Sequence, residues 1–166
     1  MKKTKFRKKR VIFILSLIIL TLSVLFLFFI RQDNCEKKDL SMCRMKIDGH
    51  NINLKVAYSD RIQQFGLMWV GDLEKNIGMI FIYDQPRYLS FWMKNTLIPL
   101  SIAFIEKDGR ISSIENMYPQ PGKADHQLPL HQSTTLVKYA IETNVGWFTE
   151  RGIRPGAYVK IPAKLK

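Results

Sequence analysis

Residues 11–30 carry no charged side chain, and only Ser16, Thr21 and Ser23 interrupt an otherwise apolar run. Core helices of water-facing domains rarely run so far without a charge. As a helix the segment is about 30 Å long, the thickness of a bilayer's hydrocarbon core. The three hydroxyls can bond back to helix carbonyls, so none leaves a polar group stranded in lipid. Lys2, Lys3, Lys5, Arg7, Lys8, Lys9 and Arg10 precede the run, whereas only Arg31, Lys37 and Lys38 follow it closely. This asymmetry predicts an amino terminus in the cytoplasm and residues 31–166 outside the cytoplasmic (inner) membrane, periplasmic or extracellular. A cleaved signal peptide shares the basic start, but its apolar core spans about 7–15 residues and ends in small residues. Phe28-Phe29-Ile30-Arg31-Gln32-Asp33 offers no small pair. The expectation is a single-pass signal anchor over 11–30 behind a basic flank, 1–10, followed by a juxtamembrane linker, 31–44, and an extracytoplasmic β domain, 45–166.

The net charge of +12 belongs largely to that leader. Seven of the 26 basic residues lie in residues 1–10, leaving 19 against 14 acidic groups in residues 31–166. What remains has an ordinary globular composition. One domain of this size buries close to two-thirds of its unfolded surface, so it needs no metal staple or repeat array. A disordered, fibrous or multispanning protein is excluded. Residues 31–166 contain no basic run with interleaved aromatics, so nucleic acid is not an expected partner.

Cys35 and Cys43 are the only cysteines and lie eight positions apart, beyond the membrane on the oxidising side. A local disulfide is the expectation; bridges between two chains and two free thiols are the alternatives.

Beyond Met45 the chain alternates with period two. Ile52, Leu54, Val56 and Tyr58 predict a half-buried strand, pairing with residues 45–47 across the turn Asp48-Gly49-His50-Asn51. Ser59 or Asp60 can cap a short helix over 61–68. Residues 77–83 are a continuous apolar run and predict a strand buried on both faces; 84–87 predict a turn and 88–93 a returning strand. Residues 97–106 and 110–117 flank the hairpin signal Lys107-Asp108-Gly109. Three prolines and a glycine make 118–130 a loop. Strands over 136–142 and 157–161 enclose a second short helix, 144–151, ended by Gly152. The fold class is therefore mainly β, a compact sandwich or distorted barrel with two short helices.

No Gly-x-Gly-x-x-Gly, phosphate loop, Gly-x-Ser-x-Gly elbow or His-Glu-x-x-His occurs, which removes nucleotide enzymes, common serine hydrolases and zincins. Asp125, His126 and His131 share one loop, but their spacing matches no strong metal signature, and neither metal nor cofactor is expected. The densest polar-aromatic cluster is Phe91-Trp92-Met93-Lys94-Asn95-Thr96. In a strand, Trp92, Lys94 and Thr96 would share one face and could bind a sugar or an anion by stacking and hydrogen bonding. The bland alternative makes Trp92 core and Asn95-Thr96 a turn. Trp92, Lys94, Asn95 and Thr96 are the candidate binding residues.

At this cluster a resemblance enters. Gly66-Leu67-Met68, Gly78 to Tyr83, Phe91 to Thr96, Ile98-Pro99-Leu100, Phe104-Ile105, Asp108-Gly109, Glu142, Gly146, Gly152-Ile153 and Gly156 resemble the successive blocks of the bacterial and archaeal domain of unknown function 192, over about residues 52–161. The resemblance implies a compact, mostly β, jelly-roll-like domain, often behind a signal peptide or anchor, with no established activity. Ile62 and Gln63 stand where an acid and a base are usual, and Ser101 and Ala157 where Asp is common. Chemistry resting on those carboxylates would be missing here.

The functional expectation is a non-catalytic, membrane-anchored module that binds a cell-envelope polymer or an envelope protein. The alternative is an envelope enzyme of the glycan-hydrolase class, which needs two carboxylates about 5–10 Å apart. Glu106, Glu115 and Glu142 are available, with no pairing evident in the sequence.

Overall fold

The computed structural model describes residues 19–21, 23 and 35–166. Of the anchor expected over 11–30, only residues 19–21 and 23 are among them, and they are helical; the rest of it and the flank 1–10 lie outside the described residues. Among the described residues no helix is long and apolar enough to cross a membrane.

Cys35–Lys166 forms a compact unit. Its elements are β1 (Met42–Ile47), β2 (His50–Ala57), α1 (Asp60–Phe65), β3 (Ile77–Arg87), β4 (Ser90–Phe91), β5 (Leu100–Ile105), β6 (Ile111–Met117), β7 (His131–Gln132) and β8 (Val137–Asn144), with single 3-10 turns at Asp125–Gln127, Thr149–Arg151 and Ala163–Leu165. Six strands form one mixed sheet in the order β1-β2-β3-β8-β5-β6, and β4 pairs with β7 apart from it. The unit is mainly β, as the periodicity predicts.

The β1–β2 hairpin follows directly from the sequence. Ile47 pairs with His50, and the intervening Asp48 and Gly49 both take positive φ, 46° and 84°, as a two-residue turn matched to sheet twist requires. β2 and β3 run parallel, so the chain crosses from one to the other through α1 and residues 66–76. The buried faces separate into two cores. Ile80, Ile82, Ala103, Ile105, Tyr139 and Ile141 face one core with Cys43, Met45, Ile47 and Val56. Met79, Phe81, Leu100, Ile102, Phe104 and Ala140 face the other, which Leu67, Leu73, Leu89, Phe91 and Met93 cover.

The carboxy-terminal segment closes the first core. Val159 bridges to Ile47 and Tyr158 to Arg110; the Val159 N–H donates to the Gly109 carbonyl at 2.8 Å, and the Asp48 N–H to the Tyr158 carbonyl at 3.3 Å. It thereby links the β1 edge to the β5–β6 turn, an arrangement consistent with a sandwich- or barrel-like fold. The regular strand expected over 157–161 is reduced to these bridges.

Four further expectations are corrected. Residues 84–87 are part of β3, which resumes pairing at Arg87 opposite Val137 after an irregularity beyond Ile82. The strand expected over 88–93 is only Ser90–Phe91. The helix expected over 144–151 is a turn and the 3-10 turn Thr149–Arg151, because Asn144 still pairs with Leu100 and its side chain donates to the Leu73 carbonyl at 2.6 Å. The first helix stops at Phe65, since Gly66 turns to φ 50°.

Cys35 and Cys43 form a disulfide with Cα atoms 4.5 Å apart. Both are fully buried in the first core, so residues 35–44, read as linker, belong to the compact unit. Replacing both cysteines by Ser lowers the melting temperature by about 8–15 °C, the effect of losing about 2–3 kcal/mol of loop restriction. A melting curve with and without reductant checks this: reductant lowers the wild-type midpoint and leaves the double variant unmoved.

Candidate functional site

A cleft of about 610 Å³ opens on the face covered by α1. The sequence blocks separated by up to 76 positions meet there: Gly66-Leu67-Met68 after α1, Phe81 and Tyr83 from β3, Phe91, Trp92, Lys94 and Thr96 from β4 and the turn after it, and Glu142 from β8. The segments after α1 and after β4 are tied together, since the Trp69 N–H donates to the Asn95 carbonyl at 2.9 Å. Trp69 and Asn95 both hold left-handed backbone, φ 63° and 52°, a conformation that costs a bulky residue such as Trp about 1–2 kcal/mol.

Phe81 and Phe91 meet edge to face at 4.9 Å, and Phe91 packs on Phe104 at 5.8 Å. This aromatic floor also carries the one acidic side chain buried in the second core's face. Glu142 is 5% exposed, its strand neighbours are Met79 and Ile102, and burial pushes its carboxyl up to about 8. No donor among the described residues bonds that carboxyl, which opens onto the cleft. Gly66 stands over it: a Cβ there would lie 3.8 Å from Glu142 Oε2 and 3.5 Å from Phe81 Cζ. Tyr83 beside it is pushed up to about 12, chiefly by burial, with Glu142 and Asp60 adding and the Arg87 guanidinium opposing. Both groups thus hold their protons at neutral pH and can donate to a ligand.

The four candidate binding residues divide. Trp92, Lys94 and Thr96 line the cleft, whereas Asn95 does not. Strand alternation is not what places them, for β4 ends at Phe91 and the Thr96 N–H closes a turn onto the Met93 carbonyl at 3.2 Å. Lys94 nevertheless lies over the Trp92 ring, 5.2 Å from its centroid, and forms an ion pair with Asp125. Thr96 is buried and donates to the Lys94 carbonyl at 3.2 Å. Asp125 and His131 do not converge, since His131 faces Glu115 at 2.9 Å. Among the described residues no group of three His, Cys, Asp or Glu could hold a metal.

Sequence reasoning missed Glu142, Tyr83, Arg87 and Asp60 as cleft residues. The available clue was an acid at the end of strand 136–142, next to the apolar run Tyr139-Ala140-Ile141, since a buried carboxyl in a cleft is a candidate for a functional group. Asn95→Ala should cost about 1 kcal/mol and Asn95→Gly much less, because only the left-handed backbone demands that residue type. Lys94→Ala should stay within about 0.5 kcal/mol, as its ion pair is partly exposed. Chemical denaturation of the three variants distinguishes these values; equal losses for Asn95→Ala and Asn95→Gly would contradict the turn assignment.

No curated protein matches the chain. Solved structures resemble it, two of them as follows. A chain from Sinorhizobium meliloti 1021, described as a proposed transcription regulator, is 28% identical with a TM-score of 0.66, over 74% of this chain and 95% of that one. A protein of unknown function from Novosphingobium aromaticivorans DSM 12444 is 29% identical with a TM-score of 0.67, over 74% of this chain and 86% of that one. The family model described as an uncharacterized ACR, DUF192, matches residues 43–161, and with the blocks meeting in one cleft the chain belongs to the domain of unknown function 192 family.

Proposed function

We propose that this protein is a non-catalytic receptor for a cell-envelope component, held at the outer side of the cytoplasmic membrane by an anchor over residues 11–30. The observation carrying this reading is the cleft, where a protonated, unpartnered Glu142 and the stacked Trp92 and Lys94 line one concavity. Its size lies within the range that accepts a small ligand or a short stretch of polymer. The anchor rests on the uncharged twenty-residue run and its seven-residue basic flank. A regulator acting on DNA is not supported: Asp60 shares the cleft with Arg87 and Lys94, Lys94 is already paired with Asp125, and residues 31–166 carry a net charge of only +5.

The second reading, an envelope glycan hydrolase, draws on Asp60 and Glu142 lining the same cleft, with Glu142 protonated as a general acid must be. It ranks second because Glu106 and Glu115 engage Thr135 and His131 away from the cleft, and Asp60 is an exposed rim residue.

Two measurements test the proposal. Protease added to spheroplasts should degrade the domain, and survival until lysis would overturn the topology. Purified full-length chain in detergent should sediment with isolated wall glycan and fail to do so as Trp92→Ala, without releasing new reducing ends. Sedimentation independent of Trp92 would sink the receptor reading, and steady release of reducing ends would favour the hydrolase.

A further inference from the structure

We infer that the outward face of the β1–β2 hairpin is a membrane-docking surface, seated on the anionic lipid headgroups of the bilayer that the anchor spans. The inference is independent of the cleft and takes from the receptor reading only the anchor over residues 11–30.

Alternate residues of β1 divide sharply. Cys43, Met45 and Ile47 are buried in the first core, while Met42, Arg44 and Lys46 are exposed. Residues directly opposite one another in a sheet share a face, and Met42 pairs with Lys55, Arg44 with Asn53 and Lys46 with Asn51. The six make one patch with three cations and no acid. Among the described residues Arg44, Lys46 and Lys55 form no ion pair. Met42 is 45% exposed, and Leu40 just before it 56%. Asp39 is taken up by the Tyr58 and Ser59 N–H groups at 2.8 and 2.9 Å, leaving Glu36 the one exposed acid in residues 35–47.

The patch is open because the cover of the second core stops short of it. It lies on the second-core side of the sheet, since Lys55 pairs with Met79 and Ala57 with Phe81. Yet β1 gives that core no buried residue and β2 gives only Ala57.

Two observations select the occupant. The first is charge: clustered cations beside a membrane are drawn to anionic lipid, and Lys and Arg stems lie along apolar surface while their heads reach outward. Met42 and Leu40 supply the apolar side chains that enter the headgroup boundary in interfacial segments. The second is reach. Residues 31–34 alone separate the expected anchor from Cys35, so the chain from Ile30 to Cys35 spans at most about 18 Å. Cys35 is bonded to Cys43, which stands in β1 between Met42 and Arg44. So short a tether gives the lipid surface a high effective concentration at the patch, which a free acidic protein would have to overcome.

The test is hydroxyl-radical footprinting of the full-length chain in lipid nanodiscs, either of phosphatidylcholine alone or with about one-third phosphatidylglycerol. Oxidation of Met42 and Leu40 should slow by at least about threefold in the anionic discs relative to the neutral ones. Tyr118, exposed away from the hairpin in the 118–130 loop, should oxidise equally in both. Salt at about 0.5 M, which shortens screening to about 4 Å, should remove the difference. So should the triple variant Arg44→Glu, Lys46→Glu, Lys55→Glu, verified as folded by cooperative melting; if it does not fold, the salt series discriminates alone. Equal oxidation in the two discs, or protection unmoved by salt and by charge reversal, would overturn the proposal. Protection in detergent that grows with protein concentration would also overturn it, by assigning the face to a second copy of the chain. The anchor is read separately, as co-elution with both kinds of disc at high salt. Co-elution with equal oxidation leaves the anchor standing and removes the docked face; absence of co-elution removes both.

Discussion

Glu142→Gln raises the melting temperature at neutral and mildly alkaline pH and flattens the pH dependence of stability. In the wild type the folded-state carboxyl is pushed up to about 8 by burial, against an ordinary value of 4.5. A group raised in the folded state contributes its full stability below the unfolded value and loses it as pH rises through the folded one. Below about pH 4 both states hold the proton, and the residue is neutral throughout. Between about pH 4.5 and pH 8 the unfolded chain ionises while the folded chain does not, so stability falls continuously. Above about pH 8 the folded state ionises too and the loss levels off. The whole effect is on the order of 3–5 kcal/mol. Gln, nearly isosteric and uncharged, abolishes it. Urea denaturation at about pH 4 and about pH 8 checks the sign: the variant should gain several kcal/mol over the wild type at the higher pH and nothing at the lower. An equal difference at both would mean that burial is not the cause.

The second large effect belongs to Gly78. It sits in β3 between Leu54 of β2 and Thr143 of β8, and a Cβ there would meet the Glu142 carbonyl oxygen at 2.3 Å and Leu54 Cδ2 at 3.0 Å. The oxygen is backbone in the centre of the sheet, so no side-chain rotation relieves the contact; β3 and β8 must part. Gly78→Ala therefore costs about 3–5 kcal/mol and lowers the melting temperature by about 12–25 °C. Gly71, whose added Cβ meets nothing within 4 Å, is the control, with a change within about 0.5 kcal/mol. Similar melting of the two variants would show that the strands tolerate the methyl.

These two positions mark what the sequence conveys and what it does not. The β1–β2 hairpin was legible because turn residues and alternation are local and agree. Strand β3 was legible as doubly buried from its apolar run, but its parallel partner was not, since only tertiary packing places β2 beside it. Pro86 suggested a turn, yet it occupies an irregular stretch of pairing before Arg87, where the missing N–H costs no ladder bond. Trp92, Lys94 and Thr96 were recognised for a strand geometry that β4 does not have; the turn at Asn95 sets them along the cleft instead. Glu142 carried its clue beside the apolar run Tyr139-Ala140-Ile141, but its place in a cleft is set by tertiary packing, with Gly66 brought next to it from a helix end 76 positions away.

The central claim is that a protonated Glu142 on the cleft floor meets the ligand. Its most direct test is a carbon-13 magnetic resonance titration of the Glu142 carboxyl in the full-length chain, with and without soluble fragments of wall glycan. The account predicts a midpoint at about 8 for the free protein, moved higher by the sugar, because a ligand that binds the neutral form holds the proton in place. A midpoint in the ordinary carboxylate range, indifferent to the sugar, would contradict it.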